Sequence, residues 1–341
     1  MSTRRANRLP SHRRGGALLA VLWLSAALAA IVFSVSNTVR GEADRSSTLS
    51  ESIRAQYLAA GAIDLALFEA LQQGITYSPD GRTRSISVGA SRRYYPFATG
   101  EALVEFSPET ARLSLNKAEP PELFRLLMAL GVDEGRAQEI AAAIVDWRTQ
   151  GPPGSGLFDQ FYLQQSPSFR ARKASFEEVE EVLFVKGMTP EIFHGGWRRE
   201  PDGRLVRVPG LKHCVSVYGT TPQVDVNTAE APVLLAIGVL PQAVEAILQM
   251  RRTQPIDNPN QLAAIRNMAG PAGHLLRIGG NTIYTVSATA RVRMPDGRLS
   301  EVRRSAAATV KFMDRFINRY APDYRVLRWY EQPGREIDWW Q

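Results

Sequence analysis

Cysteine is almost absent from this chain: Cys214 is the only one in 341 residues. No intramolecular disulfide can form, so the fold must rest on its packed core, even in an oxidising compartment. Cys214 lies in the apolar stretch Cys214-Val215-Ser216-Val217-Tyr218 and reads as a small buried side chain. Histidine is also scarce. His12, His194, His213 and His274 are scattered, and none has an acid or cysteine at the spacing of a triad or metal site. There is no Gly-x-Ser-x-Gly elbow, no His-Glu-x-x-His and no phosphate loop. A non-enzymatic protein is therefore the expectation. No low-complexity tract occurs, and with 44% hydrophobic and 22% charged residues the chain has room for two folded domains.

Acidic residues are missing from the first 41 positions, while Arg4, Arg5, Arg8, Arg13 and Arg14 all lie there. Directly behind them, Ala17 to Ser36 is an uncharged apolar run of membrane-spanning length. The charge asymmetry predicts a cytoplasmic N-terminus, with the rest of the chain across the membrane. Of the formal charge of +7, five positives belong to this leader, which leaves about +2. The basic balance is thus a topology signal and no polyanion footprint. Three readings fit the segment: a plain signal anchor, a signal peptide cut near Ser34-Val35-Ser36, or a prepilin-type N-terminus cut on the cytoplasmic side at Arg13-Arg14-Gly15-Gly16.

After the apolar run, Leu49, Ile53, Tyr57, Gly61, Leu65 and Phe68 recur at helical spacing, with Glu51, Arg54 and Gln56 off that stripe. This predicts a helix to about Gln73, stopped by Gly74 and loosened at Gly41, whose stripe packs on a sheet. Strands are predicted at 84–88, 91–97 and 102–106. Residues 282–294 alternate, Pro295-Asp296-Gly297 is a turn, and 299–312 run back.

Between these strands lies an internal repeat. Leu113-Ser114-Leu115-Asn116-Lys117-Ala118-Glu119 matches Val224-Asp225-Val226-Asn227-Thr228-Ala229-Glu230. Asn116 and Asn227 read as helix N-caps. Leu130-Gly131-Val132 then parallels Ile237-Gly238-Val239, and Ala143-Ile144 with Arg148 parallels Ala246-Ile247 with Arg251. From glycine to isoleucine the first copy is about one helical turn longer. Helical segments at 176–186 and 260–267 close the copies. Two helix-hairpin-helix-like units are predicted.

Such units also occur in DNA-uptake proteins, but these hairpins lack the chemistry. Asp133 and Glu134 would face a phosphate in the first copy, and Pro241 has no N–H to offer in the second. Arg198-Arg199 and Arg251-Arg252 are isolated basic pairs. No nucleic-acid partner is expected.

Gly15-Gly16-Ala17-Leu18-Leu19-Ala20-Val21-Leu22-Trp23-Leu24 resembles the start of the general secretion pathway protein K family, minor pseudopilins of type II secretion. A more specific match follows in Ile144-Val145-Asp146-Trp147 and the stretch from Phe176-Glu177-Glu178-Val179 to Lys186-Gly187-Met188-Thr189-Pro190. The resemblance covers most of residues 13–312. It implies an α+β fold: a pilin-like long N-terminal helix packed on an antiparallel sheet, with a large inserted helical domain of two helix-hairpin-helix-like (SAM-like) repeats. The expected organisation is a basic leader at 1–15, a transmembrane helix at 16–40 and the pilin-like helix with its first strands at 41–110. The inserted domain follows at 111–280, with repeats at 111–200 and 221–280, then a closing β-hairpin at 281–315 and a tail at 316–341.

The resemblance also implies cleavage by prepilin peptidase between Gly15 and Gly16, with cleavage after Gly16 the close alternative, and methylation of the new N-terminus. It implies a single-pass place in the inner membrane, the bulk of the chain in the periplasm, and a complex with minor pseudopilins I and J at the pseudopilus tip. A minor pilin of a type IV pilus and a membrane-anchored DNA-uptake protein are the alternatives. Ala20 stands at the fifth mature position, where most pilin-like subunits carry glutamate. Known members bind calcium, which would leave Asp146 and Asp159 as candidate ligands. Here, however, Arg148-Thr149-Gln150-Gly151-Pro152-Pro153 replaces the acidic cluster that often follows the Asp-Trp pair.

Overall fold

The computed structural model describes residues 14–72, 75–77, 84–86, 92–152, 154–199, 202–219, 221–280, 282–313 and 323–330. The leader up to Arg13, Gly74 and the tryptophans Trp339 and Trp340 lie outside them. One continuous helix, α1 (Arg14–Gln72), opens the chain over 59 residues. Gly41 does not interrupt it: a glycine costs a helix interior about 1 kcal/mol, too little to break so long a run. Ser25 and Thr38 donate their hydroxyls to the carbonyls of Val21 and Ser34, so these polar groups in the apolar segment find their partners on the helix backbone.

The sheet is built from β3 (Arg92–Phe97), β4 (Gly100–Pro108), β11 (Ile283–Arg293), β12 (Leu299–Phe312) and β13 (Tyr324–Tyr330). Their spatial order is β13-β12-β11-β4-β3, all antiparallel. A separate small hairpin, β1 (Ile75–Tyr77) with β2 (Arg84–Ile86), precedes it. Alternate residues face α1: Ala102, Val104 and Phe106; Val286, Ala288 and Ala290; Ala306, Ala308, Val310 and Phe312.

Against this face α1 sets Ala55, Ala59, Ala62, Ala66 and Ala70, with Ile63 and Leu67. This corrects the predicted orientation. Leu49, Ile53, Tyr57 and Phe68 are exposed, at 62, 49, 76 and 57%, and Leu65 is half-buried. The sheet presents mostly alanine and valine, so a close helix approach requires small residues at the seam and turns the larger ones outward. Polar contacts fix that rotation. Ser300 Oγ donates to Glu51 at 2.5 Å, Arg304 Nε to Ser52 Oγ at 2.6 Å, and Arg93 to Glu69 at 3.1 Å.

Residues between β4 and β11 build a second core of helices. Its first repeat holds β5 (Leu113–Ser114), α2 (Pro120–Ala129), α3 (Glu134–Arg148), α4 (Asp159–Leu163), a 3₁₀ turn Val179–Phe184 and α5 (Pro190–His194). A hairpin of β6 (Gly195–Arg199) and β7 (Leu205–Pro209) leads to α6 (Leu211–Cys214) and β8 (Val215–Ser216). The second repeat holds β9 (Val224–Asp225), α7 (Ala231–Ala236), α8 (Pro241–Thr253), α9 (Pro259–Met268) and β10 (Leu276–Arg277). In each copy the opening strand pairs in parallel with the closing one, β5 with β8 and β9 with β10. Cys214 is buried beside β8.

Glu109 joins the two cores. It is 3% exposed, and its carboxylate accepts from Thr285 Oγ1 of β11 and Arg112, both at 2.6 Å, and from Ser216 Oγ of β8.

Candidate functional site

Gly131 and Gly238 end α2 and α7 in the same way. Each has positive φ, +85° and +93°. The N–H groups of Gly131 and Val132 donate to Met128 and Leu127, and those of Gly238 and Val239 donate to Leu235 and Leu234. Both hairpins are thus Schellman turns, which need a residue tolerant of the left-handed region. Asp133 caps α3, accepting from Arg136 N at 3.0 Å, so the helix start already has its own carboxylate.

The paired asparagines are not N-caps. Glu119 and Glu230 occupy those positions. Asn116 instead reaches Phe176, accepting its N–H at 2.7 Å and donating to its C=O at 3.0 Å. Asn227 does the same to Ile256, at 2.8 Å on both sides. A side-chain amide matches the donor and acceptor of one residue's backbone, so each asparagine pins the segment that closes its repeat.

The arginines at the ends of α3 and α8 are equally alike. Arg148 donates to Leu115 O at 2.5 Å and to Ala118 O; Arg251 donates to Val226 O at 3.4 Å and to Ala229 O at 2.6 Å. Burial pulls the Arg148 guanidinium below its ordinary value. Arg251 therefore serves the turn beneath it, and the four-residue difference between copies is an extra turn of α3 ahead of its arginine. Across the copies, Arg125 of α2 donates to Ala236 O at the C-terminus of α7, at 2.8 Å.

In the second repeat Asp225 is 1% exposed and accepts from Gly279 N at 2.7 Å and from both the N–H and the hydroxyl of Thr228. Burial raises its pKa against the pull of those donors.

The two halves of the Asp146-Trp147 and Phe176–Pro190 signature meet in space. Trp147 stacks on Phe176 with centroids 6.3 Å apart, meets Tyr162 edge-on at 5.5 Å, and directs its indole N–H to Glu181 at 3.4 Å. Burial pushes the Tyr162 hydroxyl up to about 12, while it accepts from Lys186 N at 3.3 Å.

Asp146, in the last turn of α3, and Asp159, the first residue of α4, flank the ammonium of Lys173. Lys173 Nζ lies 3.0 Å from Asp146 Oδ1, 3.2 Å from Asp146 O and 3.9 Å from Asp159 Oδ1. Among the described residues, no group of three or more acids, histidines or cysteines is gathered in a way that could hold a metal ion. Calcium takes six to eight oxygens. Two carboxylates that share an ammonium do not supply that set. Sequence reasoning missed Lys173, because it lies 27 positions from Asp146 and belongs to no motif.

Gly15, Gly16 and Ala20 lie on the first turns of α1, and Gly16 and Ala20 are exposed. Gly16–Gln72 is the one described helix long and apolar enough to cross a membrane.

Residues 102–195 match the family model for type II secretion system (T2SS), protein K. The chain is 25% identical over 236 residues to type II secretion system protein K of Klebsiella pneumoniae, covering 64% of this chain and 68% of that one. It is 28% identical over 203 residues to the Pseudomonas aeruginosa protein of the same name, covering 55% and 54%. The match thus spans about half the length of the Pseudomonas relative. Among solved structures, the complex of GspK, GspI and GspJ from the enterotoxigenic Escherichia coli type 2 secretion system contains a similar chain. Its TM-score is 0.47 at 16% identity, covering 86% of this chain and 99% of that one. In sequence, this chain is similar to type II secretion system protein K, through residues 102–195 and through these longer alignments.

Proposed function

We propose that this protein is a non-catalytic minor pseudopilin that sits at the tip of the periplasmic pseudopilus and helps start its assembly for protein export. The observation that carries this reading is α1 itself. Its first part is an exposed, uncharged segment of membrane length, and the same unbroken helix ends as an alanine face seated on the sheet. At 1.5 Å per residue it is about 90 Å long, several times what a hydrocarbon core of ~30 Å requires. A helix of this form anchors a folded domain while leaving an apolar flank, Leu49, Ile53 and Tyr57, for neighbouring subunits.

On this reading the leader stays in the cytoplasm, prepilin peptidase cuts the Gly15–Gly16 bond and methylates Gly16, and the folded domains stand in the periplasm. Minor pseudopilins I and J are the partners. Ala20 fits a first-placed subunit. A carboxylate inside hydrocarbon is costly unless it meets a neighbour's ammonium, and a subunit with no predecessor has none to meet. The DNA-uptake alternative is disfavoured by Arg251 and Asp133, which serve the repeat's own backbone.

The mass of the chain extracted from membranes tests the processing. A mature form beginning at methylated Gly16 is the expected result. A form beginning after Ser36, or one retaining its leader, would contradict the reading.

A further inference from the structure

The segment between α3 and the 3₁₀ turn Val179–Phe184 is irregular apart from the five residues of α4, and it must be held by side chains. Two carboxylates at its start are nearly buried: Asp159 of α4 is 6% exposed, and the side chain of Asp146, in the last turn of α3, 14%. Backbone N–H groups satisfy one oxygen of each, Leu157 N to Asp146 Oδ1 at 2.9 Å and Gly156 N to Asp159 Oδ2 at 3.0 Å. Asp146 Oδ2 and Asp159 Oδ1 have no hydrogen-bond donor. Two buried negative charges this close to one another need a cation.

The chain supplies one. Lys173 is, among the described residues, the only non-glycine residue with positive φ, at 54°. That backbone conformation is unfavourable for lysine and persists where the surroundings enforce it. Its ammonium is largely enclosed, the side chain being 11% exposed. Gly156 makes room for it: a Cβ on that residue would lie 2.1 Å from Lys173 Nζ and 2.5 Å from Asp159 Oδ1. A bare Cα, an unusual backbone angle and two carboxylates thus converge on one ammonium.

We propose that Lys173 is the built-in cation of this loop, taking the place of a divalent ion between Asp146 and Asp159 and making the fold independent of calcium. The inference does not depend on the pseudopilin reading.

Thermal unfolding of the full chain in detergent tests it. The wild-type protein should melt at the same temperature, within about 1 °C, in millimolar calcium and in chelator. Lys173→Gln should lower the melting temperature by about 10 °C, as expected for a buried charge left without its partner. In that variant calcium should recover part of the loss. If Lys173→Gln does not fold, adding Asp146→Asn and Asp159→Asn removes the stranded charges and should restore a folded protein. Three results would overturn the proposal: a wild-type melting temperature that rises by several degrees in calcium, a Lys173→Gln variant that melts like wild type, or a charge-free triple variant no more stable than Lys173→Gln alone.

Discussion

Asn116 and Phe176 stand 60 positions apart in sequence, and the asparagine amide covers both backbone groups of the phenylalanine, at 2.7 and 3.0 Å. The bond pair holds the closing segment of the first repeat against its opening strand and seats the Phe176 ring on Trp147. Asn116→Ala leaves a buried N–H and C=O without partners and should cost about 3 kcal/mol. Asn116→Asp keeps the acceptor but loses the donor and should also destabilise. Denaturant melts of both variants check this, and Asn227→Ala should behave like Asn116→Ala.

Arg251 offers a second test. Its guanidinium caps the turn that contains Val226 and Ala229. Arg251→Ala should reduce stability by about 2 kcal/mol, and Arg251→Lys should recover little, because a point charge lacks the planar fork. In gel-shift titrations with duplex DNA, wild type and variant should be equally inert.

The alanine face of α1 predicts opposite outcomes on its two sides. Ala62→Leu forces extra volume into the core between α1 and the sheet and should cost about 1–3 kcal/mol. Tyr57→Ser, on the exposed side, should change stability by no more than about 0.5 kcal/mol and, on the proposed role, weaken cross-linking to neighbouring subunits.

Asp225 sets a pH dependence of unusual sign. Its folded pKa lies above the ordinary aspartate value, chiefly through burial. The native state therefore holds its proton over a window where the unfolded chain has lost it. Its contribution is most favourable below about pH 3.9 and falls as pH rises through the shifted value. Comparing pH scans of unfolding for wild type and Asp225→Asn isolates this slope, which should vanish in the variant. Carboxyl titration by NMR should place Asp225 above the other aspartates.

Much of this was legible in the sequence. The membrane segment, the 282–294 strand and both repeats showed as an apolar run, an alternation and a self-match. Three features were not legible, each for a physical reason. The seam of α1 is made of alanine, which carries little periodic signal, so the larger residues at 49, 53 and 57 drew the assignment to the wrong face. Asn116 and Asn227 sit where caps are found, and only the fold shows that their partners are Phe176 and Ile256. The strand Tyr324–Tyr330 follows a long gap after β12, and its alternation is broken by charge. Its Arg328 lies 3.4 Å from Glu178 and 3.5 Å from Glu180 in the first repeat, a relation no local pattern announces.

Deletion of the gene, followed by a comparison of proteins in the medium and in the periplasm, tests the central claim most directly. On the proposed role, loss of this protein should strand the substrates of type II secretion in the periplasm. A plasmid copy should restore their release, and a copy carrying a bulky residue in place of Gly15 should not. Unchanged secretion in the deletion strain would contradict the account.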